Sequence, residues 1–287
     1  KNYFVDPRDL KTVYRDTDIL IQSPKVANQA GLAFDEEFRN GGTFQIYKDI
    51  FGNADTMSKD LELAYNAMRR YITGGGLFKV PSPTLSKETN ELLKKYNDEL
   101  KNYERIQHYA SFRLFNGERA YPTRILDKHS IQGSRNDITK NLSGLMDAAE
   151  SEIIIQNPYV VLTEEARAAI KRASDRGVKV IIHTNSPMSS DSLLTQAMFI
   201  GDWKGILKDM PNVRIFGYKL STKLHSKVFV FDRKIAVIGT YNMDYVSEQI
   251  NSEVVAVIKS RPFANQVAGK IMRDIEDSHE YKIKVER

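Results

Sequence analysis

The stretch His225-Ser226-Lys227-Val228-Phe229-Val230-Phe231-Asp232-Arg233-Lys234-Ile235-Ala236-Val237-Ile238-Gly239-Thr240-Tyr241-Asn242 decides how this chain is read. It holds two short apolar runs broken by Asp232-Arg233-Lys234, the pattern of two strands joined by a tight turn. On a strand covering 225–231, alternate side chains share a face, so His225 and Lys227 point one way while Val228 and Val230 point into the layer behind. Asp232 falls at the strand end. Gly239 closes the second strand at a place where backbone can approach a ligand closely. Thr240 and Asn242 then offer a hydroxyl and an amide nearby.

This set of groups suits a phosphodiester. An imidazole can attack phosphorus or protonate a leaving oxygen near neutral pH. A lysine ammonium and an asparagine amide can hold the non-bridging oxygens as charge builds. The imidazole needs a group that fixes its tautomer, usually a carboxylate on its far nitrogen. Glu253, at the head of the next strand, is the candidate, and Asp232 is expected to anchor the motif. His-x-Lys alone is noise. The full string through Asn242 arises by chance roughly once in 100,000 chains of this length, from average residue frequencies, which sets the coincidence aside.

Outward from the motif, strands alternate with helices. Strands are expected at 152–156, 178–183, 213–217, 225–231, 235–238 and 253–258, with helices at 137–149, from Thr163 to Gly177, 191–208 and 262–276. That order implies a sheet with helices on its faces. Upstream, a strand is expected at 19–22 and a helix at 25–39 whose apolar side carries Val26, Ala30, Ala33, Phe34 and Phe38, stopped by 40–43. Two charged helices are expected at 57–72 and 85–108, the second with a stripe of Leu92, Leu93, Tyr96, Leu100 and Tyr103. Gly74-Gly75-Gly76 between them lacks the Lys-Ser/Thr of a P-loop and reads as a turn. A faint repeat sets Asp18, a strand, Ser23-Pro24 and Ala27-Asn28-Gln29 beside Glu253, a strand, Ser260-Arg261-Pro262 and Ala264-Asn265-Gln266.

Composition bounds the rest. Lys and Arg number 42 against 37 Asp and Glu, a mild positive balance that favours an anionic partner without choosing one. With no cysteine in 287 residues, disulfides, thiolate metal sites and a cysteine nucleophile are excluded. No apolar run approaches the length of a membrane span.

At His225, Lys227, Asp232, Gly239, Thr240 and Asn242 the sequence resembles the phospholipase D superfamily, with Thr240 where serine is commoner. Asn157-Pro158-Tyr159, Arg176 to Val180, Thr184-Asn185-Ser186 with Asp191, and Asn251-Ser252-Glu253 resemble segments of its bacterial cardiolipin synthase branch. The resemblance covers about 1–40 and 120–275. It implies a mixed α/β sheet flanked by helices in two pseudo-repeated halves, the first incomplete here. The division expected is 1–120, a remnant of the first repeat with a helical insertion, and 121–287, the second repeat with the motif.

Family members of this branch carry two motifs. One histidine is the nucleophile, and the other protonates the leaving alcohol and activates water or an acceptor alcohol. No other histidine of this chain, His108, His129, His183 or His279, is followed by lysine two positions on. These four are expected to be structural or surface residues. The resemblance therefore implies a fragment whose upstream half carries the first motif, with Asp18 orienting the histidine of that half.

Tyr159 and Asn185 are expected to support or bind substrate, and Met188, Met198, Phe199 and Trp203 to form an apolar mouth for acyl chains. The implied partners are an anionic or zwitterionic phospholipid and a membrane surface, with no cofactor and no metal. Peripheral membrane, periplasmic or secreted settings are favoured over the cytosol. A nuclease of the same superfamily is the alternative, disfavoured because the basic residues are dispersed. A non-catalytic module is the third reading.

Overall fold

The computed structural model describes residues 14–39, 54–102, 107, 120–130 and 136–283. The stop expected at 40–43, Tyr103 and His108 lie outside them. The chain divides into two compact units, one of residues 1–43 with 121–287 and one of residues 44–120.

The larger unit contains β1 (Tyr14–Arg15), α1 (Pro24–Arg39), β2 (Thr123–Lys128), α4 (Asp137–Ala148), β3 (Glu152–Gln156), α5 (Glu164–Asp175), β4 (Lys179–Asn185), α6 (Leu193–Asp209), β5 (Val213–Tyr218), β6 (Lys223–Leu224), β7 (Val228–Phe231), β8 (Ile235–Gly239), β9 (Glu253–Lys259), α7 (Arg261–Glu276) and β10 (Ser278–Tyr281). The smaller holds α2 (Ala54–Ile72) and α3 (Lys87–Leu100). Eight strands form one mixed sheet in the order β10-β5-β4-β3-β7-β8-β9-β2. Its β3, β4 and β5 run parallel, and β7, β8, β9, β2 and β10 pair antiparallel with their neighbours.

Strand alternation builds two cores. Ile153, Ile155, Val180, Ile182, Phe229 and Phe231 face a layer that includes Leu142, Met146, Ala169, Ile170 and Ile206 from α4, α5 and α6. Ile154, Ile181, Val228, Val230, Ala236 and Ile238 face Ala264, Val267, Ala268 and Ile271 of α7. Burial of a large aliphatic side chain stabilises by about 1.5–3 kcal/mol, so these near-continuous apolar strands fix the central sheet. The helix ends are set by side-chain caps. Asn136, Thr163 and Ser260 accept backbone N–H groups of Thr139, Ala166 and Phe263.

Two expectations at the strands are corrected. Residues 19–22 form no strand; β1 lies earlier and pairs in parallel with β6. Ile19 instead packs against the α7 layer. The strand expected over 225–231 begins at Val228, because the chain changes partners there. The His225 amide donates to Arg15 O at 2.9 Å, and only from Val228 does pairing with β3 begin. On α1, Val26 is buried, whereas Phe34 and Phe38 stack on each other at 5.7 Å and are exposed.

In the smaller unit, Ala67, Tyr71 and Leu100 pack with Leu77, Phe78 and Tyr96. Asn97 brackets Phe78 by accepting its N–H and donating to its carbonyl. Gly74 and Gly76 adopt positive φ of 83° and 68° in the turn after α2, a conformation glycine takes without strain.

Gly239 is required by the sheet. A Cβ there would lie 2.2 Å from Val254 O and 2.6 Å from Val255 Cα. Gly239→Ala must therefore push β8 off β9, and a stability loss of about 2–3 kcal/mol is expected. A urea denaturation midpoint unchanged by the substitution would contradict this packing.

Candidate active site

The topology gathers the chemistry at one end of the sheet. The carboxyl ends of β3, β4, β8 and β2 meet the amino ends of β7 and β9 there, the end at which α/β sheets with parallel strands bind ligands. His225, Lys227, Thr240, Asn242, Glu253, Tyr159 and Asn185 all lie at this end. Asp232 lies at the other end of β7.

His225 Nδ1 is 3.2 Å from Asp16 Oδ2, and the ring meets Tyr14 edge to face at 5.2 Å between centroids. Its Nε2 has no hydrogen-bond partner among the described residues. Asp16 thus occupies the position expected for Glu253. Its segment is fixed by β1, by Thr17 Oγ1 against Ser226 Oγ at 2.9 Å, and by Arg15, which donates to both oxygens of Asp274 at 3.0 and 3.1 Å. Asp274 also accepts Gln156 Nε2, which meets His183 Nδ1 at 3.0 Å, and His183 Nε2 meets Ser278 Oγ at 2.9 Å. Burial brings His183 down to about 4, a neutral core histidine.

Lys227 is buried and its Nζ donates to His225 O at 2.6 Å. Asp244 nearby is raised above the ordinary aspartate range by burial, against the opposing pull of Ser247 donors and the Lys227 charge. Asn242 Oδ1 is buried without a hydrogen-bond partner, the kind of orphaned polar atom that binding sites retain.

Glu253 does not contact the ring. Its carboxylate accepts from Thr240 Oγ1, from Ser247 Oγ at 2.8 Å and from Asn251 Nδ2 at 3.5 Å. Burial raises its pKa against these donors. Ser247 sits in a π-helical turn, Val246–Ile250, a distortion frequent at functional sites. Thr240 is therefore engaged with Glu253, and its oxygen also accepts Val254 N at 3.0 Å.

Tyr159 and Tyr14 both donate to Asp191, at 2.7 and 3.1 Å. Burial, then the bond to Asp191, pushes the Tyr159 phenol up. Asn185 is fully buried, donates to Pro158 O and Leu224 O, and accepts Leu224 N at 3.0 Å. Its side-chain oxygen and nitrogen are both engaged, and they seat the residue before His225. Of the apolar group expected as a mouth, Met188 and Met198 are exposed, together with Leu193 and Leu194. Phe199 and Trp203 pack on Tyr281 at 5.4 and 5.0 Å and belong to the core side.

Asp232 takes positive φ, 49°, in the β7–β8 turn. Its carboxylate accepts the N–H groups of Glu150, Ser151 and Glu152 and the Ser151 hydroxyl. Burial would raise its pKa, but the donors of Glu152, Glu150 and Ser151 outweigh it and bring it to about 2. A depressed carboxylate stabilises above its unfolded value, near 3.8, and loses this contribution as pH falls through the folded value. Asp232→Asn is expected to cost about 2 kcal/mol at pH 7, with the gap to the parent closing between about pH 4 and 2. Equal denaturation midpoints at pH 7 would contradict the anchoring role.

Aligning the repeat on Asp18 does not bring out Asp16. The interval from Glu253 to Ser260 equals that from Asp16 to Ser23. Both serines cap the following helix, Ser23 Oγ accepting Val26 N and Ser260 Oγ accepting Phe263 N. Ungapped alignment makes Asp16, not the exposed Asp18, the counterpart of Glu253.

The family described as "Cardiolipin synthase, PLD-like domain" matches residues 142–275. Over these residues the chain is similar to the phospholipase D-like domain. Cardiolipin synthase A of Buchnera aphidicola from Schizaphis graminum is 31% identical over 144 residues, which is 50% of this chain and 29% of that protein. Cardiolipin synthase 1 of Bacillus anthracis is 28% identical over 148 residues, 52% of this chain and 27% of that protein. The chain thus spans under a third of the length of these curated relatives. Among solved structures, the phospholipase D family member Nuc of Salmonella typhimurium aligns at 16% identity and TM-score 0.47, covering 57% of this chain and all of that one. Phosphatidylserine synthase of Haemophilus influenzae aligns at 13% identity and TM-score 0.48, covering 76% and 53%. The family match runs from α4 through α7 and so contains the entire His225 to Glu253 segment.

Proposed function

We propose that this chain supplies one histidine half-site of a phospholipid phosphodiesterase or phosphatidyltransferase that works through a phosphohistidine. The observation that carries the reading is His225, held at Nδ1 by Asp16 and open at Nε2, beside Lys227 and Asn242. In the forward step Nε2 attacks phosphorus, the bond from phosphorus to the head-group oxygen breaks, and a general acid gives that oxygen a proton. The nitrogen–phosphorus bond then breaks when water or an alcohol attacks, giving phosphatidic acid or a new phosphodiester. Asp16 keeps the Nδ1 proton in place and stabilises positive charge on the ring. Lys227 and Asn242 face the non-bridging oxygens as charge builds on them.

The general acid is a second histidine, and on this reading it comes from a motif elsewhere, since only His225 in this sequence has lysine two positions on. The repeat alignment gives Glu253 the task of holding that histidine, as Asp16 holds His225. Similarity to cardiolipin synthases supports a lipid substrate, as does the exposed apolar surface of Met188, Leu193, Leu194 and Met198 beyond Asp191. No helix among the described residues is long and apolar enough to cross a membrane.

The test is to express the chain with any coding sequence that flanks it and incubate the protein with phosphatidylglycerol, phosphatidylethanolamine and single-stranded DNA. Products are followed by mass spectrometry. Cardiolipin defines a transferase and phosphatidic acid a hydrolase. Cut DNA with untouched lipid overturns the reading in favour of a nuclease.

A further inference from the structure

The outer edge of the sheet carries a second cluster, independent of the phosphodiester site. β2 is the edge strand, and α1 leans on it, with Ile125 N donating to Gln29 Oε1 at 3.3 Å. Glu36 lies two helical turns beyond Gln29 and so returns to the same face of α1. Asp127 and His129 are two apart on extended chain and share a face as well. The intervening Lys128 turns away, its Nζ donating to Asn251 O at 2.6 Å and His129 O at 2.9 Å. Three donor atoms therefore converge, Glu36 Oε2, Asp127 Oδ2 and His129 Nε2, all within 4.8 Å of one another.

The spacing is informative. His129 Nε2 lies 3.4 Å from each of the two carboxylate oxygens and is buried without a hydrogen-bond partner. That is longer than an N–H···O bond, which spans about 2.7–3.2 Å. It matches the edge of a tetrahedron whose centre is bonded at about 2.0–2.1 Å, the usual length for zinc with imidazole or carboxylate.

We propose that Glu36, Asp127 and His129 form a divalent-cation site of the zinc class that latches α1 onto β2. One imidazole and two carboxylates suit zinc, with manganese next, and leave a fourth position for water. The site is structural: α1 follows directly on the segment that carries Asp16, and the ion would fasten its far end. This gives His129 a metal-binding role that the sequence alone does not indicate.

Isothermal titration of the chelator-treated full chain with zinc chloride tests it. One zinc per chain is expected, with a rise in melting temperature. Glu36→Gln, Asp127→Asn and His129→Ala should each weaken binding by at least about ten-fold, with far-ultraviolet circular dichroism unchanged. Glu36→Gln removes a charge at an exposed position, so it keeps the test decisive if a buried variant fails to fold. His225→Ala should bind zinc as the parent does. Well under one zinc per chain, or full affinity in the Glu36→Gln variant and in the Asp127→Asn, His129→Ala double variant, overturns the site.

Discussion

On the proposed function, replacing His225 with alanine is expected to lower phosphodiester turnover at least about 1,000-fold, or about 4 kcal/mol of transition-state stabilisation. The expectation rests on geometry. Nε2 is the one nitrogen of the ring that is open, and Nδ1 is committed to Asp16. Without the imidazole the cluster loses its open nucleophilic nitrogen, and the buried Lys227 ammonium is a hydrogen-bond donor that cannot replace it. The measurement is steady-state product formation at matched substrate, beside a melting curve that shows the variant folded. Turnover within ten-fold of the parent would remove His225 from the chemistry.

Asp16→Asn is the second large effect. The substitution keeps the shape of the side chain but withdraws the charge that faces Nδ1 across 3.2 Å. An asparagine can also present its amide N–H to Nδ1 and so favour the wrong tautomer. In serine hydrolases the equivalent exchange lowers kcat by about 10,000-fold; a loss of about 100-fold or more is expected here. Because Asp16 orients another group, kcat should fall while KM moves little. Full kcat in this variant would show that the Asp16 contact is dispensable.

Much of the fold was legible because the central strands are buried on both faces. Runs such as Ile153-Ile154-Ile155 and Val228-Phe229-Val230-Phe231 admit few other conformations, and the caps at Thr163 and Ser260 mark helix starts directly. The short strands were not legible. Tyr14–Arg15, Lys223–Leu224 and Ser278–Tyr281 owe their conformation to partners distant in sequence, and two to four residues carry no periodicity of their own.

At the site, the motif residues could be read locally because their spacing is local. The partner of the ring could not, because that contact is tertiary. Glu253 has the right chemistry and the right distance in sequence, yet its carboxylate is taken by Thr240 and Ser247. Gly239 and Asn185 have structural work that spacing does not reveal, the first toward the neighbouring strand and the second toward the backbone at Leu224.

The contact between His225 and Asp16 joins residues 209 positions apart, so the motif is not a self-contained cassette. A chimera that imports residues 121–287 into another background would retain every letter of the motif and lose the acid behind its histidine. Loss-of-function alleles near Asp16 would pass any screen that inspects the motif alone, and compensating changes would surface at the far end of the gene. The two stretches are expected to be inherited as a pair.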